Sequence, residues 1–167
     1  MDKEKAINYI ENSFILSLIN DSDVTDISYN GEDIYYVSNS LGRKKSDIVI
    51  EPQMAKDFVR QIANIAEKQF SFTNPNLDIS VGKYRINATH GSVCRVKDEG
   101  AISFDIRIAS VAPRIERGDD FFGDDAVREL LQLIMDNRLS LVIGGITGSG
   151  KTELQKYLLR NLYHKNR

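Results

Sequence analysis

Residues 139–152 read LSLVIGGITGSGKT, a short apolar run followed at once by a glycine-rich loop. The loop, residues 145–152, fits the pattern Gly-x-x-x-x-Gly-Lys-Ser/Thr, and leucines recur beyond it at helical spacing through Leu154, Leu158 and Leu162. The apolar run suits a strand that is buried on both faces. The order strand, loop and helix therefore predicts a phosphate loop at the start of an α/β domain.

Each residue type in this loop has a chemical role in phosphate binding. Consecutive backbone N–H groups can form an anion nest, and glycines let the backbone approach a phosphate without a clashing side chain. Lys151 would reach the β- and γ-phosphates, and the Thr152 hydroxyl would be a ligand of Mg²⁺. We predict a nucleotide site formed by Gly145, Ile146, Thr147, Gly148, Ser149, Gly150, Lys151, Thr152 and Glu153. The alternative is a glycine-rich turn that only connects a strand to a helix.

The sequence before the loop predicts an α+β domain with a mostly antiparallel sheet of about six strands and two helices. Apolar residues at helical spacing predict a first helix that ends near Asn20, and a second helix that runs from Pro52 to about Lys68. Alternation and turn residues predict a hairpin about Asn30-Gly31 and four further strands, at 47–50, 77–81, 84–89 and 101–108. Arg43-Lys44-Lys45 is interpreted as a solvated basic turn. A further helix is predicted at 124–137.

We therefore divide the chain into a sheet domain, residues 1–108, a linker, residues 109–123, and the start of a phosphate-loop core, residues 124–167. The Pro- and Gly-containing linker has no sustained apolar period, which is typical of an interdomain segment.

Composition excludes several classes of protein. The 167 residues are 41% hydrophobic and 28% charged, with a formal net charge of −2, as in an ordinary globular protein. This balance excludes a polybasic nucleic-acid coat, so we expect no direct nucleic-acid binding. The longest apolar run near the N-terminus is too short to insert into a membrane. The single cysteine, Cys94, cannot form an internal disulfide, which favours the cytoplasm.

Several short motifs, in a shared order, resemble one known family. They are TDISYNG at 25–31, YRINA at 84–88, GAISFDIR at 100–107, and the phosphate loop with its preceding Asn137-Arg138-Leu139. Together they resemble the traffic ATPases, the hexameric motors of type II and type IV secretion, conjugation, and type IV pilus or tight-adherence assembly. One departure is Glu153, where the family more often carries threonine or serine.

The resemblance implies a two-lobed subunit with an N-terminal sheet domain and a C-terminal RecA-like ATPase core that binds ATP and Mg²⁺. It also implies that arginines of the N-terminal domain complete the nucleotide site, with Arg85, Arg107 and, more weakly, Arg95 as the matching residues. The alternative for each is a solvated arginine. A homo-hexamer, contacts with inner-membrane platform or secretion-channel proteins, and a peripheral position at the cytoplasmic face of the membrane are further implications.

Hydrolysis by such a motor also needs an acidic residue after a later hydrophobic strand and a group that positions water. In the family these lie well after the phosphate loop, so we expect this chain to be an N-terminal fragment that is inactive alone. A first alternative is that residues 1–108 form an interaction module, because the acidic first helix would expose an apolar stripe. A second, weaker alternative is another phosphate-loop NTPase or kinase.

Overall fold

The computed structural model describes residues 2–109, 125–146 and 149–161. The chain divides into two compact units, Met1–Ala109 and Ser110–Arg167. The domain boundaries given above stay predictions, and residues 110–123 of the predicted linker lie outside the described residues.

The first unit is built on one six-stranded antiparallel sheet. Its strands are β1 (Val24–Tyr29), β2 (Ile34–Ser38), β3 (Gly42–Lys45), β4 (Asn76–Val81), β5 (Tyr84–Thr89) and β8 (Ser103–Ile108), in the order β3-β2-β1-β8-β5-β4. Two short strands, β6 (Arg95–Val96) and β7 (Glu99–Gly100), pair separately. Three helices, α1 (Lys3–Glu11), α2 (Leu16–Ile19) and α3 (Pro52–Ile65), complete the unit. The predicted α+β class with an antiparallel sheet of about six strands is confirmed.

Side-chain alternation gives this sheet one apolar and one polar face. Ile27, Ile86 and Ile106 lie opposite one another on β1, β5 and β8, and each is 0% exposed. They share a core with the helices, in which the Phe58 ring of α3 lies 5.5 Å from the Phe104 ring of β8. The residues that alternate with these isoleucines along each strand therefore project from the opposite face of the sheet.

The predicted first helix is two helices. Helix α1 ends at Glu11, where the Asn12 side chain donates to the carbonyl of Asn8 at 2.8 Å and the Ser13 hydroxyl donates to the carbonyl of Ile10 at 2.7 Å. Asparagine and serine side chains that bond to nearby carbonyls compete with the helical ladder. The chain turns there, and the short α2 begins at Leu16.

The apolar stripe of this region is covered by the protein itself. Ile10 is 0% exposed and Ile19 is 7% exposed, and both lie in the same core as Phe58. The expectation that the acidic first helix exposes an apolar stripe is wrong, because α3 and the sheet bury it. The interaction-module alternative loses the observation on which it rested.

The third strand lies earlier than predicted. It is β3, residues 42–45, whose register with β2 pairs Ser38 with Gly42 and Val37 with Arg43. The turn between β2 and β3 is short. Gly42 ends it with φ of +69°, a backbone conformation that glycine adopts without strain. Residues 47–50 instead connect β3 to α3, with Ile50 buried and Val49 90% exposed.

The other predicted elements of this unit are confirmed with shifts of a few residues. Pro52 begins α3, which ends at Ile65 rather than about Lys68. Glu67 then takes a left-handed φ of +55°, and the Lys68 amide donates to the Ala63 carbonyl at 2.9 Å, which closes the helix end. Strands β4, β5 and β8 match the three predicted strands, and residues 82–83 form the turn between β4 and β5.

The second unit contains helices α4 (Asp125–Asp136) and α5 (Lys151–Asn161). Leu131 of α4 and Tyr157 and Leu158 of α5 form its small apolar cluster. The predicted strand at 139–143 is wrong for the described residues, in which Val142 is 92% exposed. A strand is defined by a hydrogen-bonded ladder, and the described part of this unit places no second extended segment beside the run. Neither unit, as far as it is described, contains a helix with the length and apolarity needed to cross a bilayer.

Candidate functional site

The phosphate loop lies at the N-terminus of α5, whose first residue is Lys151. The Lys151 ammonium turns back over the loop and donates to the carbonyl oxygens of Gly145, at 2.8 Å, and Ile146, at 2.5 Å. Thr147 and Gly148 of the predicted site lie outside the described residues. The structure thus brings the lysine onto the backbone of its own loop.

Two glycines of the loop have positions that a larger residue would disturb. Gly150 has φ of +81°, outside the range that side chains favour, immediately before α5 begins. A Cβ atom on Gly145 would lie 2.7 Å from the Ser149 hydroxyl oxygen. Neighbouring Gly144 differs, since such a Cβ would have no atom of the described part of the chain within 4 Å. The loop is therefore tight at Gly145 and Gly150 but not at Gly144.

Thr152 and Glu153 lie in the first turn of α5. Thr152 and Lys151 line a pocket of about 480 Å³ whose other walls are mostly apolar, including Met135 and Leu139. The Glu153 carboxylate forms an ion pair with the Lys156 ammonium at 2.7 Å. This pairing offsets the negative charge that Glu153 adds beside the loop.

Arg85 and Arg107 lie side by side on the polar face of the six-stranded sheet. They are direct cross-strand partners in the β5–β8 ladder. Arg85 donates from one terminal nitrogen to Asp78 of β4 at 3.1 Å, and Arg107 donates from Nε to Asp26 of β1 at 3.1 Å. Both side chains are well exposed, at 60% and 74%.

These arginines line a pocket of about 400 Å³ on the sheet, and the structure adds a third arginine, Arg43, to its wall. Sequence reasoning placed Arg43 in a solvated turn, but it lies on β3. Its guanidinium carbon is 5.0 Å from the centre of the Tyr35 ring. Gly42 is the sequence feature that could have indicated that Arg43 lies on a strand. A glycine in a short turn after one strand is typical of a hairpin, in which the next residues form the returning strand.

Asp105 lies on the same face, opposite Ser28 of β1 and Asn87 of β5. Burial raises the pKa of the Asp105 carboxyl, and Asp26 adds to this rise, while the positive charge of Arg43 opposes it. The pocket therefore contains two carboxylates against three guanidinium groups, and one of the two carboxylates has a weakened tendency to ionise.

Arg95 is not part of this group. It lies on β6, in the separate two-stranded sheet, and is not among the residues that line the pocket. Within the described ranges no cluster of three or more His, Cys, Asp or Glu side chains could hold a metal ion.

Comparison with known sequences identifies one relative. No family model matches the chain. The uncharacterized protein pXO2-25 of Bacillus anthracis is 30% identical over 141 residues, which is 81% of this chain and 31% of that protein. This chain therefore spans about a third of that relative.

Two solved structures resemble the chain over almost its full length. The VirB11 ATPase of the Brucella suis type IV secretion system, solved in complex with sulphate, is 18% identical with a TM-score of 0.56, covering 94% of this chain and 53% of that one. The Legionella pneumophila ATPase DotB is also 18% identical with a TM-score of 0.55, covering 96% of this chain and 42% of that one. At this identity the likeness shows the fold alone. The chain has the fold of the traffic ATPases, so the resemblance seen in the sequence is confirmed at that level.

Proposed function

We propose that this chain binds ATP with Mg²⁺ at residues 145–152, as part of a hexameric ATPase that powers macromolecule transport. Lys151 supports this proposal most directly. It is the first residue of α5, and its ammonium lies against the carbonyls of its own loop. This position places a cation at the start of a helix, beside backbone N–H groups that favour an anion.

The loop has the donors that a polyphosphate requires. The first N–H groups of an α-helix have no partner within the helix and carry partial positive charge, and α5 is 11 residues long. Lys151 has three N–H donors, and anionic phosphate oxygens are stronger acceptors than the carbonyls of Gly145 and Ile146. A bound phosphate would therefore take the ammonium from these carbonyls.

The residues present also fit Mg²⁺ bound together with a nucleotide. Thr152 would supply the hydroxyl oxygen that a phosphate loop contributes to Mg²⁺, with substrate phosphates and water as further ligands. When bound, the ion would neutralise charge between the β- and γ-phosphates. A Cβ at Gly145 would lie against the Ser149 hydroxyl, so the glycine at this position leaves room for Ser149 within the loop.

Arg85 and Arg107 are proposed to contact the nucleotide phosphates from the sheet domain, as the family resemblance implies. Two observations support this role. Both arginines lie on the polar face of the sheet, and both side chains are exposed. The VirB11 structure of similar fold was solved with sulphate, an oxyanion shaped like phosphate.

The wider setting is also a proposal. The VirB11 ATPase of similar fold belongs to a type IV secretion system, which favours transport over a metabolic phosphate-loop enzyme. A homo-hexamer, contacts with inner-membrane platform or secretion-channel proteins, and a peripheral position at the cytoplasmic face of the membrane follow from the same resemblance.

Calorimetric titration of the chain with ATP and Mg²⁺ tests the central proposal. Lys151→Ala is expected to weaken binding at least about tenfold, equivalent to about 1.4 kcal/mol. Arg160→Ala is the matched control, since it removes one positive charge from an exposed position in the last turn of the same helix, away from the loop. Circular dichroism checks that both variants fold. Equal ATP affinity of the wild type and Lys151→Ala would refute the proposed site.

A further inference from the structure

The polar face of the sheet presents one row of side chains across five strands. The Cα partners run from Arg43 on β3 through Val37, Asp26 and Arg107 to Arg85 on β5. Neighbouring strands are about 4.8 Å apart, so Arg43 and Arg107, three strands apart, are about 14 Å apart at their backbones. Long arginine side chains can cover such a gap, and all three line the same pocket.

The guanidinium groups in this row keep donors available. Each guanidinium has five N–H donors. In the bonds found among the described residues, Arg107 uses Nε for Asp26 and Arg85 uses one terminal nitrogen for Asp78. The Arg43 guanidinium lies over the Tyr35 ring, and contact with an aromatic face leaves the N–H groups at its edge free to point sideways.

We propose that Arg43 is a third phosphate-binding residue of this face, and that Arg43, Arg107 and Arg85 together hold a polyphosphate chain. The inference rests on the proposed function, and adds to it a residue and a preference for several linked phosphates over one. A single phosphate spans too short a distance to meet three cations spread along a row of strands. A chain of phosphates can meet them in turn, each through the planar fork that suits phosphate oxygens.

Asp26 is the internal competitor of such a ligand. Its carboxylate accepts from Arg107 in the same row, so a bound phosphate would share or replace that bond. Removal of this carboxylate, as in Asp26→Asn, is therefore expected to strengthen polyphosphate binding, whereas removal of an arginine weakens it.

The test is a titration of the full chain carrying Lys151→Ala with inorganic tripolyphosphate, followed through backbone amide NMR shifts. This background removes the key lysine of the phosphate loop, and the position of the shifted amides separates binding on the sheet from residual binding at the start of α5. We expect saturable shifts in β3, β5 and β8, and weaker binding of orthophosphate. Adding Arg43→Gln is expected to weaken tripolyphosphate binding about five- to tenfold, as for the loss of one charged hydrogen-bonding group.

Lys44→Gln is the matched control. It removes the same charge from the next residue of β3, which pairs with Tyr36 and so projects from the other face. Its expected effect is less than about twofold, as for a distant exposed charge. Arg43→Lys, which keeps the charge but loses the fork, should lie between the parent and Arg43→Gln.

Three results would overturn the inference: no tripolyphosphate binding in the Lys151→Ala background, no effect of Arg43→Gln, or an equal loss in Lys44→Gln. Failure of the proposed function is a separate result, because it is measured as unchanged ATP binding when Lys151 alone is replaced. Amide spectra that retain their dispersion show that each variant is folded.

Discussion

Arg85 and Arg107 face each other directly across the β5–β8 ladder, and each is paired with an aspartate on the strand at its other side. Like charges placed directly opposite each other destabilise a sheet. Asp78 and Asp26 offset this repulsion, so the sheet keeps two adjacent cations on one exposed face.

We predict that the two members of the Asp26–Arg107 pair differ in their effect on stability. Arg107→Gln removes one exposed ion pair but also the repulsion with Arg85, so the free energy of unfolding should change by less than about 0.5 kcal/mol. Asp26→Asn removes the pair and leaves the repulsion, so it should be the more destabilising variant, by about 0.5–1 kcal/mol. Urea unfolding at low ionic strength measures both.

Salt supplies the control for this prediction. Raising the ionic strength to about 1 M shortens the screening length to about 3 Å, which should narrow the difference between the two variants. Equal destabilisation by Arg107→Gln and Asp26→Asn at low salt would show that the facing arginines do not repel each other measurably.

Two glycines at the hairpin turns differ in what an added methyl group would meet. Gly31 has φ of +102°, and a Cβ there would lie 2.6 Å from a Val96 methyl carbon. Gly42 has φ of +69° and open space around it. Gly31→Ala should therefore destabilise by about 2–3 kcal/mol, from backbone strain and overpacking together, and Gly42→Ala by about 1 kcal/mol from strain alone.

Thermal and urea unfolding of the two variants measure this difference. Gly31→Ala with Val96→Ala is the discriminating double variant, because it removes the shortest contact but keeps the strained backbone and the Ala101 Cβ at 3.0 Å. Recovery of part of the loss is expected, and a loss identical to that of the single variant would leave no role for the Val96 contact.

The sequence predicts those elements in which buried apolar residues alternate with exposed polar residues. Strands β4, β5 and β8 alternate apolar and polar residues, and the glycine-containing turn between β4 and β5 is visible without a structure. Strand β3 could not be found in this way, because Gly42, Arg43, Lys44 and Lys45 are all exposed and contain no apolar residue. Its pairing with β2 depends on residues distant in the sequence, and the apolar residues 48–50 led to the predicted strand at 47–50 instead.

The difference between local patterns and long-range pairing also explains which residues of the candidate site the sequence predicted and which it did not. The phosphate loop is a local motif, so its residues are recognisable one after another. Arg43 becomes a neighbour of Arg107 only when four strands are placed side by side. The division of the first helix into α1 and α2 likewise depends on bonds that Asn12 and Ser13 make to carbonyls, which helical periodicity does not report.

Stability should depend on pH through Glu11. The Tyr84 hydroxyl donates to the Glu11 carboxylate at 2.7 Å, and the Lys83 ammonium lies 3.2 Å from it. The hydrogen bond from Tyr84, aided by Lys83 and opposed by burial, lowers the pKa of Glu11 below its ordinary value of 4.5. A lowered pKa in the folded state adds stability above pH 4.5 that is lost as the pH falls through the folded-state pKa.

Glu11→Gln should therefore flatten the acid side of the stability profile. The urea midpoint of the wild type is expected to fall from about pH 5 to pH 3 more steeply than that of the variant, and the two profiles should converge at low pH. Asp23, whose pKa is also lowered, mainly by the Ser40 hydroxyl, leaves a residual slope in Glu11→Gln. Parallel profiles for the two proteins would exclude the proposed role of Glu11.

The phosphate loop gives a final prediction, based on the contrast between Gly144 and Gly145. A Cβ on Gly145 would lie 2.7 Å from the Ser149 hydroxyl and 3.8 Å from the Lys151 side chain, whereas a Cβ on Gly144 meets no atom of the described residues within 4 Å. Gly145→Ala should therefore force the Ser149 side chain to rotate within the loop, and weaken ATP binding about five- to tenfold, or about 1–1.4 kcal/mol. Gly144→Ala, an identical change one residue earlier, should bind ATP within about twofold of the wild type, since it introduces no contact. Calorimetry gives both affinities, and circular dichroism confirms that α5 is retained in each variant. Equal affinities for the two variants would mean that the tight packing at Gly145 is not what shapes the phosphate site.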